Sequence, residues 1–454
     1  MHRRSPLEIA VTIGILAAVA VLMVGHAVTV TQFINLALLQ VVLFCHLMLK
    51  LLAAVAAPPH VVAEGFDLSG LRADIVIPVY NEDPDLLAAG LRSITTQTML
   101  PRAVWVIDDG SQQDGQPFLV LETDPVRRAL AAAAEAGIEI HPIRQTNRGK
   151  RWAQSVAFEA SDADVFITID SDTYLDSHAV EKLLVPFSRR EVQSVAGLPT
   201  GMNYRKNLLT RVVDLSFTMS SLQGRMAEGF FGAVRVNCGI IAAYRADVVR
   251  ENLDRYLNQV FLGAPVKAGD DRALTYFAKE RGRNEFQPEA IAYSALPETL
   301  GHLARQRLRW ARSWCWGTLL LLRRPVGSAE FWFTLMQLAG IFGFGLVVVI
   351  IVVGSVTGSA PISAALVTLL FAMLVGGLVH ARYVVLAHRH DPLAQRVLTW
   401  LASPVGTALY VCVLLPLYYV AIVRPVPRRG WGTRATVEVA LDTSRSAVPL
   451  RGAA

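Results

Sequence analysis

The sequence predicts an α/β domain with a mostly parallel sheet, placed between two groups of α-helical membrane segments. Apolar runs near the roughly 20 residues that a bilayer-spanning helix needs flank a central stretch of mixed composition, 71–324. In the first half of that stretch, buried-strand patterns alternate with helical patterns, which is typical of a parallel sheet. Three of the strand patterns end in acidic residues, and the carboxyl ends of parallel strands form the edge of a sheet where ligands bind.

The apolar runs indicate a membrane protein. Of the 454 residues, 53% are hydrophobic and only 18% are charged, which is unusual for a soluble enzyme. We expect two N-terminal transmembrane helices within 1–57 and further ones within 330–423. A cleaved signal peptide is the alternative for the first run, but no small-residue cleavage pattern stands out and a second run follows directly. In order, the runs are 7–24, 28–57, 331–353, 362–380 and 397–423.

The basic residues predict the orientation. The net charge is +6, and Arg residues cluster beside the membrane segments, as the positive-inside rule requires of cytoplasmic regions. We therefore expect a multi-pass protein of the cell membrane, in contact with its lipids, with a cytoplasmic central domain and no nucleic-acid partner. The cysteines are scattered and form neither a disulfide framework nor a zinc pattern: Cys45, Cys238, Cys315 and Cys412.

The C-terminal region presents a topological conflict. The tail 424–454 is basic near its start and is expected in the cytoplasm, but a third crossing after two C-terminal ones would place it outside. The preceding run, 397–423, is interrupted by Pro404 and Pro416, and proline breaks or kinks helices. We therefore expect two short passes or a re-entrant hairpin in that run.

Two strand patterns open the central domain, ADIVIPVYNED at 73–83 and AVWVIDDGS at 103–111. Helical patterns follow them at 84–96 and 124–136. The turn after the first strand is not glycine-rich, which argues against a Rossmann dehydrogenase, and the sequence has no P-loop either. Bound phosphates would therefore need a metal and basic side chains.

The third strand pattern, 165–169, runs directly into Asp170 and Asp172. Two carboxylates at one strand end repel each other unless a positive charge lies between them, and Mg²⁺ or Mn²⁺ prefers such oxygen ligands. The alternative is an Asp-rich turn in which Asp172 or Thr173 caps a helix.

Further segments supply candidate basic and acidic groups. NRGKRWAQ, at 147–154, offers Lys150 for phosphate binding, although a solvated turn before a helix is the alternative. Asp270 and Asp271 follow Gly269 at a predicted helix start, where a carboxylate either caps the helix or is held as a general base for a sugar hydroxyl. RQRLRWARSWCWG, at 305–317, predicts an amphipathic interfacial helix within 301–325, and its Arg and Trp side chains suit phosphate and sugar rings.

Four motifs occur in order between the membrane segments: Asp108-Asp109-Gly110, Asp170-Ser171-Asp172, Gly269-Asp270-Asp271 and Gln306-Arg307-Leu308-Arg309-Trp310. This set resembles the processive family-two glycosyltransferases that make cellulose, chitin and hyaluronan. Within that group, NRGKRWAQ, DSDTYLD and RGWGTR are similar nearly residue for residue to class I hyaluronan synthases. The resemblance covers most of 74–434 and implies a GT-A-type glycosyltransferase domain at about 71–300.

The resemblance also implies roles for single residues. Asp271 would be the general base, supported by Asp270, and Asp170 and Asp172 would hold Mg²⁺ or Mn²⁺. Gating of the site would fall to Trp431 and Arg434 in the tail. The nucleotide-sugar would contact Tyr80, Glu82, Asp108, Asp109, Lys150, Asp170 and Arg309, and the acceptor would contact Gln306, Trp310 and Cys238.

The expected activity is the inverting transfer of sugars from UDP-N-acetylglucosamine and UDP-glucuronate to a growing hyaluronan chain, which leaves through the membrane helices. A chitin-like product from UDP-N-acetylglucosamine alone is the alternative, and a catalytically silent receptor for nucleotide-sugars or glycans is a third possibility. The segment 237–241, Asn-Cys-Gly-Ile-Ile, lacks the proline that family members usually carry there. This departure puts priming and acceptor preference in question.

Overall fold

The computed structural model describes residues 6–30, 37–358 and 362–426. Within these ranges a central α/β domain is joined to apolar helices at both ends of the chain, as the sequence predicts. The strands are β1 Ala73–Val79, β2 Ala103–Asp108, β3 Gln112–Gln113, β4 Gln116–Pro117, β5 Glu139–Arg144, β6 Val165–Thr168, β7 Tyr174–Leu175, β8 Val192–Gly201, β9 Ala242–Arg245, β10 Val260–Phe261, β11 Ala264–Pro265 and β12 Arg283–Ser294.

Eight strands form one twisted sheet in the order β5-β2-β1-β6-β9-β8-β12-β7. The pairs β5/β2, β2/β1, β1/β6 and β8/β12 are parallel, whereas β9 runs antiparallel to both of its neighbours and β7 is antiparallel to β12. The prediction of a mostly parallel sheet is confirmed. Because β1, β2 and β6 are parallel neighbours, their carboxyl ends bring the predicted acids to one edge of the sheet.

The helices of the α/β domain cover both faces of the sheet. Alternate residues of β1 point to opposite faces: Ile75 and Ile77 pack under one helical layer, and Val76 packs under the other. The helices are α3 Pro84–Thr95, α4 Asp124–Glu135, α5 Lys150–Ala160, α6 Ala179–Leu184, α7 Leu208–Met219, α8 Met226–Phe230, α9 Ala246–Glu251, α10 Leu253–Leu257, α11 Asp270–Arg281 and α12 Leu300–Leu321, with α1 Pro6–Val30 and α2 Ala37–Ala56 before them.

The C-terminal helices are α13 Ala329–Thr357, α14 Ile362–His380, α15 Tyr383–Leu386, α16 Leu393–Leu401, α17 Ser403–Leu409 and α18 Leu415–Val423. Within the described residues, three helical stretches are long and apolar enough to cross a membrane: Ala329–Thr357, Leu369–Leu386 and Leu393–Val423. The shorter apolar helices Pro6–Leu22 and Val42–Ala56 lie at the N-terminal end. The chain is therefore a membrane protein.

The expectation of two passes or a hairpin in 397–423 is wrong, because α16, α17 and α18 form one helical run from Leu393 to Val423. Pro404 lies in the first turn of α17, after a turn at Ala402, and Pro416 lies in the first turn of α18, after a π-helical turn. These local changes in the helical pattern accommodate both proline rings. Between α17 and α18 the π-helical turn Tyr410–Leu414 carries the helix onward.

The helix-cap interpretation of Asp172 and Thr173 is also wrong. The chain turns at Ser171 and Asp172, pairs with β12 through β7, and starts its next helix only at Ala179. Asp172 therefore does not cap a helix, and its Oδ2 accepts a hydrogen bond from Ser294 Oγ at 3.1 Å.

Candidate active site

A cavity of about 970 Å³ begins at the carboxyl ends of β1, β2 and β6 and continues between the membrane helices. Most of the residues singled out from the sequence line its wall, which brings four separate motifs together in one place. These residues are Tyr80, Glu82, Asp109, Lys150, Asp170, Asp172, Cys238, Asp270, Asp271, Gln306, Arg309 and Trp310.

The two aspartates after β2 have different roles. Asp109 lines the cavity, and its carboxylate accepts hydrogen bonds from Gln145 Nε2 and from the backbone N–H groups of Arg148 and Gly149, at 2.6, 3.0 and 2.8 Å. Burial raises the pKa of Asp109, and these hydrogen bonds oppose that shift. Asp108 is not among the residues that line the cavity, and its carboxylate pairs with Arg144.

Glu82 is 4% exposed and lies beside the turn that follows β6, where it accepts a hydrogen bond from Ser171 Oγ at 2.5 Å. The turn before it requires the left-handed conformation of Asn81, which has a φ of 49° and is one of the residues that tolerate that region. The Asn81 side chain accepts from the backbone of Gln112, so the turns after β1 and β2 are fixed to each other.

Lys150 connects two acidic motifs. Its Nζ lies 2.7 Å from Asp170 Oδ1 and 2.8 Å from Asp270 Oδ2. Burial alone would raise the pKa of Asp270, but the charge and hydrogen bond of Lys150 outweigh it and hold that pKa below its ordinary value. Lys150 therefore offsets the repulsion between acids that the sequence places 100 residues apart.

Asp271 has the properties of a base. Burial, followed by the negative charge of Asp270, raises the pKa of Asp271 to about 6. One carboxylate oxygen accepts from the backbone N–H of Arg272 at 2.8 Å, which fixes its orientation at the start of α11. A carboxylate with this pKa is mostly ionised at neutral pH yet basic enough to accept a proton.

The two acids at the start of α11 are positioned from both sides. Arg151, whose guanidinium is buried, donates to the backbone oxygens of Tyr256 and Gly269 at 2.6 and 3.3 Å. On the other side, Gly269 lies directly against α12. Arg151 therefore holds in place the loop that leads into Asp270 and Asp271.

We expect Gly269→Ala to lower both activity and stability. Gly269 has a φ of 84°, and an added Cβ would lie 2.8 Å from Ser313 Cβ and 2.9 Å from Trp316 Cζ2. Gly263→Ala is a matched control, because Gly263 has a φ of 77° but nothing within 4 Å of an added Cβ. The control should lower the free energy of unfolding by only about 1–2 kcal/mol, the cost of a left-handed backbone at a non-glycine residue. Equal effects of both substitutions on thermal unfolding and sugar transfer would show that the contact with α12 is unimportant.

The side of the cavity formed by α7 and α12 is aromatic and basic. The ring of Trp310 stacks on Phe217 of α7 with centroids 5.8 Å apart, and the Arg307 guanidinium lies 4.6 Å from the Trp310 ring centroid. Gln306 and Arg309 occupy the same side of the cavity. An indole held in this way presents a flat surface on which a sugar ring can stack.

Cys238 and Gly239 belong to the segment that departs from the family pattern. Cys238 is buried, and burial raises the pKa of its thiol to about 11, so it is uncharged at neutral pH. At Gly239 an added Cβ would lie 3.4 Å from both Asp170 Oδ2 and Lys150 Nζ. The segment therefore passes directly beside the Asp170–Lys150 pair.

Sequence reasoning missed most of a group of cations at the membrane end of the cavity, since it named only Arg307, as part of a motif. The group is Lys50, Arg225, Arg235, Arg272 and Arg307. A signal for Lys50 was available, since an ionisable residue inside an apolar helix usually marks a functional site. The predicted gating residues Trp431 and Arg434 lie outside the described residues.

Comparison with known proteins identifies the family. A family model described as "Glycosyl transferase family 2" matches residues 74–253, and one described as "Glycosyl transferase family group 2" matches residues 165–380. A hyaluronan synthase of Streptococcus pyogenes is 32% identical over 365 residues, which cover 80% of this chain and 83% of that protein. The chain belongs to the hyaluronan synthase family.

The enzyme is thus a hyaluronan synthase-like UDP-sugar glycosyltransferase, processive and of GT-A type, as the motifs predict. An N-acetylglucosaminyltransferase of Sinorhizobium fredii is also similar, with 34% identity over 80% of this chain and 86% of that protein. Among solved structures, the mannosyltransferase PcManGT from Pyrobaculum calidifontis, in complex with GDP-Man and Mn²⁺, has a TM-score of 0.49 and 19% identity over 88% of this chain and 97% of that one.

Proposed function

We propose that this enzyme polymerises UDP-N-acetylglucosamine and UDP-glucuronate alternately into hyaluronan. The Streptococcus pyogenes relative is a hyaluronan synthase, and the charge distribution of the cavity supports an acidic product. A chain of neutral sugars has no charge for cations to bind, whereas hyaluronan carries a carboxylate on every second sugar.

The charges along the cavity divide into two groups. Acids dominate the end near the strands, and the cations Lys50, Arg225, Arg235, Arg272 and Arg307 line the membrane end, where Glu228 is the acid. Burial lowers the pKa of Arg272, the negative charge of Asp271 opposes that shift, and repulsion from Arg235 and Arg225 adds to it. Arg235 pairs with Glu228 at 2.6 Å, so the cations at this end outnumber the acid. This excess of cations carries the proposal, because an anion between buried cations stabilises them.

Asp170 and Asp172 would hold the Mg²⁺ or Mn²⁺ expected from the sequence. The described residues contain no group of three or more His, Cys, Asp or Glu arranged around a metal position. Two carboxylates are nevertheless sufficient for such an ion when a diphosphate and water supply its other ligands. When bound, the ion would stabilise the negative charge of the departing UDP.

The remaining chemistry follows from the chain's own residues. Asp271 would take the proton from the acceptor hydroxyl, whose oxygen attacks the anomeric carbon from the face opposite UDP and inverts its configuration. Tyr80, Glu82 and Asp109 would hold the nucleotide, and Arg309 would pair with the diphosphate. Trp310 would support the acceptor sugar, and the cavity between the membrane helices would receive the growing chain.

We also propose that the enzyme is a multi-pass protein of the cell membrane with its catalytic domain in the cytoplasm. Four helices have one end at the catalytic domain. Glu8, near the start of α1, forms an ion pair at 3.1 Å with Arg382, which follows α14. The end of α2 packs on α8, and the start of α13 pairs with Arg324 through Glu330. These four helices would cross the membrane in alternating directions.

The last helical run would lie across these helices without crossing the membrane. Trp400 Nε1 donates to Gly377 O, 15 residues from the start of α14, and Tyr419 OH donates to Ile341 O, 16 residues from the end of α13. At 1.5 Å per residue, both contacts lie about 22–24 Å from the connection between α13 and α14. Both ends of the run are therefore at a similar depth, so Arg424 would lie on the catalytic side.

The test is incorporation of radiolabelled sugar by purified protein in lipid, with Mg²⁺ or Mn²⁺ and each UDP-sugar alone or in pairs. The proposal expects polymer only when both donors are present, and complete digestion of that polymer by hyaluronidase. A polymer made from UDP-N-acetylglucosamine alone would reject the proposal.

A chitin-like oligosaccharide is the second candidate product. The Sinorhizobium fredii relative, an N-acetylglucosaminyltransferase, is as similar to this chain as the hyaluronan synthase, and 237–241 departs from the usual family segment beside Asp170. Digestion of the product by chitinase but not by hyaluronidase would favour this candidate.

Neutralising a cation at the membrane end should shorten an acidic polymer. Arg225 donates to the neutral acceptors Ser221 Oγ and Val236 O, so Arg225→Gln removes a charge without leaving a carboxylate unpaired. We expect product length to fall by about tenfold or more, the scale of one hydrogen bond to a charged group. Arg128→Gln, at an exposed position of α4, is the control. Unchanged length with Arg225→Gln would argue against anion binding there.

A further inference from the structure

The linker between α14 and α16, residues 381–392, is fixed to the catalytic domain by a buried carboxylate. Asp214, in the middle of α7, is completely buried and accepts hydrogen bonds from Gly201 N at 2.7 Å and from Tyr383 OH at 2.5 Å. His388 Nε2 lies 2.9 Å from the same carboxylate and donates to it, since a carboxylate only accepts. Two of these three donors come from the linker.

His388 is held in an unusual position. Its φ is 42°, in the left-handed region that costs a non-glycine residue about 1–2 kcal/mol. Its side chain is 4% exposed, and the ring of Tyr204 stacks on it with centroids 4.2 Å apart. Asp391, also in the linker, pairs with Tyr204 OH and with Arg205. The surroundings therefore fix the imidazole from several sides, which is typical of a site where a strained residue has a role.

This cluster joins three walls of the cavity. The helix α7 contributes Ser216 and Phe217 to the cavity, and Phe217 stacks on Trp310 of α12. On one side of the linker, His380 at the end of α14 lines the cavity; on the other side, Thr407 of α17 does so. A change in the cluster would therefore alter the spacing between α7, α14 and α17, and with it the position of Trp310.

We propose that Asp214, Tyr383 and His388, here called the linker anchor, are positioning residues that set how long the enzyme retains its growing chain. The anchor acts through α7 and Phe217 on Trp310, and through the linker on the two membrane walls that the chain must pass. It contacts neither donor nor metal. The inference rests on processive sugar transfer and holds for either candidate product.

The anchor should make retention dependent on pH. Burial favours the neutral imidazole, but the charge and hydrogen bond of Asp214 outweigh it and raise the pKa of His388 above its ordinary value of 6.5. Asp391 adds to this effect and Arg205 opposes it. The ion pair is therefore present below the raised pKa and is lost as the pH rises through it, so product length should fall over that interval.

The test compares product length, kcat and KM for wild-type enzyme and His388→Asn in lipid, from pH 6.5 to 9, with the donors that the wild type uses. Asparagine tolerates a positive φ and so preserves the backbone while removing the imidazole. We expect kcat to change less than twofold, because the anchor contacts neither donor nor metal. Product length should fall by about tenfold, the scale expected when one hydrogen bond to a charged group is lost. His390→Asn, at an exposed position two residues away, is the matched control.

Two further results complete the test. Wild-type product length should decline with rising pH, whereas that of His388→Asn should be constant. Tyr383→Phe, which removes one hydrogen bond and leaves the ion pair, should shorten the product less and keep the pH dependence. If His388→Asn folds and retains wild-type length at every pH, or lowers only the unfolding temperature, the anchor is purely structural and the inference is wrong. Failure to make hyaluronan would not affect this comparison, which uses the wild type's own product.

Discussion

Replacing Asp271 with asparagine is expected to lower the rate of sugar transfer by about 10²- to 10⁴-fold, the range that a general base contributes. Asparagine has nearly the same shape and can still accept from the Arg272 N–H, which is 2.8 Å from the present carboxylate. Folding and UDP-sugar affinity should therefore change little. The measurements are UDP release and donor affinity, with Asp254→Asn, at an exposed position of α10, as the control. Substantial activity in the Asp271 variant would assign the base elsewhere.

The pH profile tests the same residue independently. Because burial and the charge of Asp270 raise the pKa of Asp271 to about 6, kcat/KM should fall as the pH decreases through about 6, where the base becomes protonated. Asp270→Asn removes the neighbouring negative charge, so the acid limb of the profile should move to lower pH. An acid limb that stays in place in this variant would contradict the assignment. Asp271 is mostly ionised above about pH 7, so this limb affects only the lowest part of the pH range in which the linker anchor is tested.

Lys150→Met should have the second largest effect on activity, and it should also lower stability. Lys150 Nζ lies between Asp170 and Asp270, at 2.7 and 2.8 Å, and its loss leaves these carboxylates facing each other near Asp271. Removing one partner of a buried ion pair costs roughly 3–5 kcal/mol, and the 17% exposure of the Lys150 side chain places the expected loss at the lower end. We expect a lower free energy of unfolding and at least about 10²-fold less activity.

The direction of the accompanying pKa change gives a sharper result. Without Lys150, the pKa of Asp270 should rise, because the positive charge of Lys150 holds that pKa low. Lys150→Arg keeps the charge and should retain more activity than Lys150→Met. Lys182→Met, which alters a more exposed lysine that pairs with Glu289 at 3.8 Å, is the control. If the methionine and arginine variants lose activity equally, charge compensation is not the role of Lys150.

Much of the catalytic domain follows from the sequence by itself. The helices at 84–96 and 124–136 were predicted within one residue at each end, because their first turns carry Asp and Pro signals and their apolar residues recur on one face. The acids after β1, β2 and β6 were placed at one sheet edge because parallel strands share a direction. The motifs also led to the right family, since short catalytic segments tolerate little change in residue type and order.

Other features depend on which residues meet in space, and a linear pattern does not contain that information. Asp108 and Asp109 are the same residue type in adjacent positions, so the sequence does not distinguish them. The tertiary structure shows that Asp108 pairs with Arg144 and that Asp109 lines the cavity. Lys150 was expected to contact phosphate, and only the fold brings it between acids from two distant motifs. Pro404 and Pro416 suggested a broken helix, yet local changes in the helical pattern leave the helical run continuous.

The cation-rich end of the cavity shows the same division. Lys50, Arg225 and Arg235 come from a membrane helix and from segments of the catalytic domain that are far apart in the chain, and only packing brings them together. The sequence determined the fold class, the acidic sheet edge and the family, because these depend on periodicity and on local motifs. Only the tertiary structure decided the charges that line the cavity and the buried contact of His388 with Asp214. Both depend on contacts between residues far apart in the sequence, which local patterns do not encode.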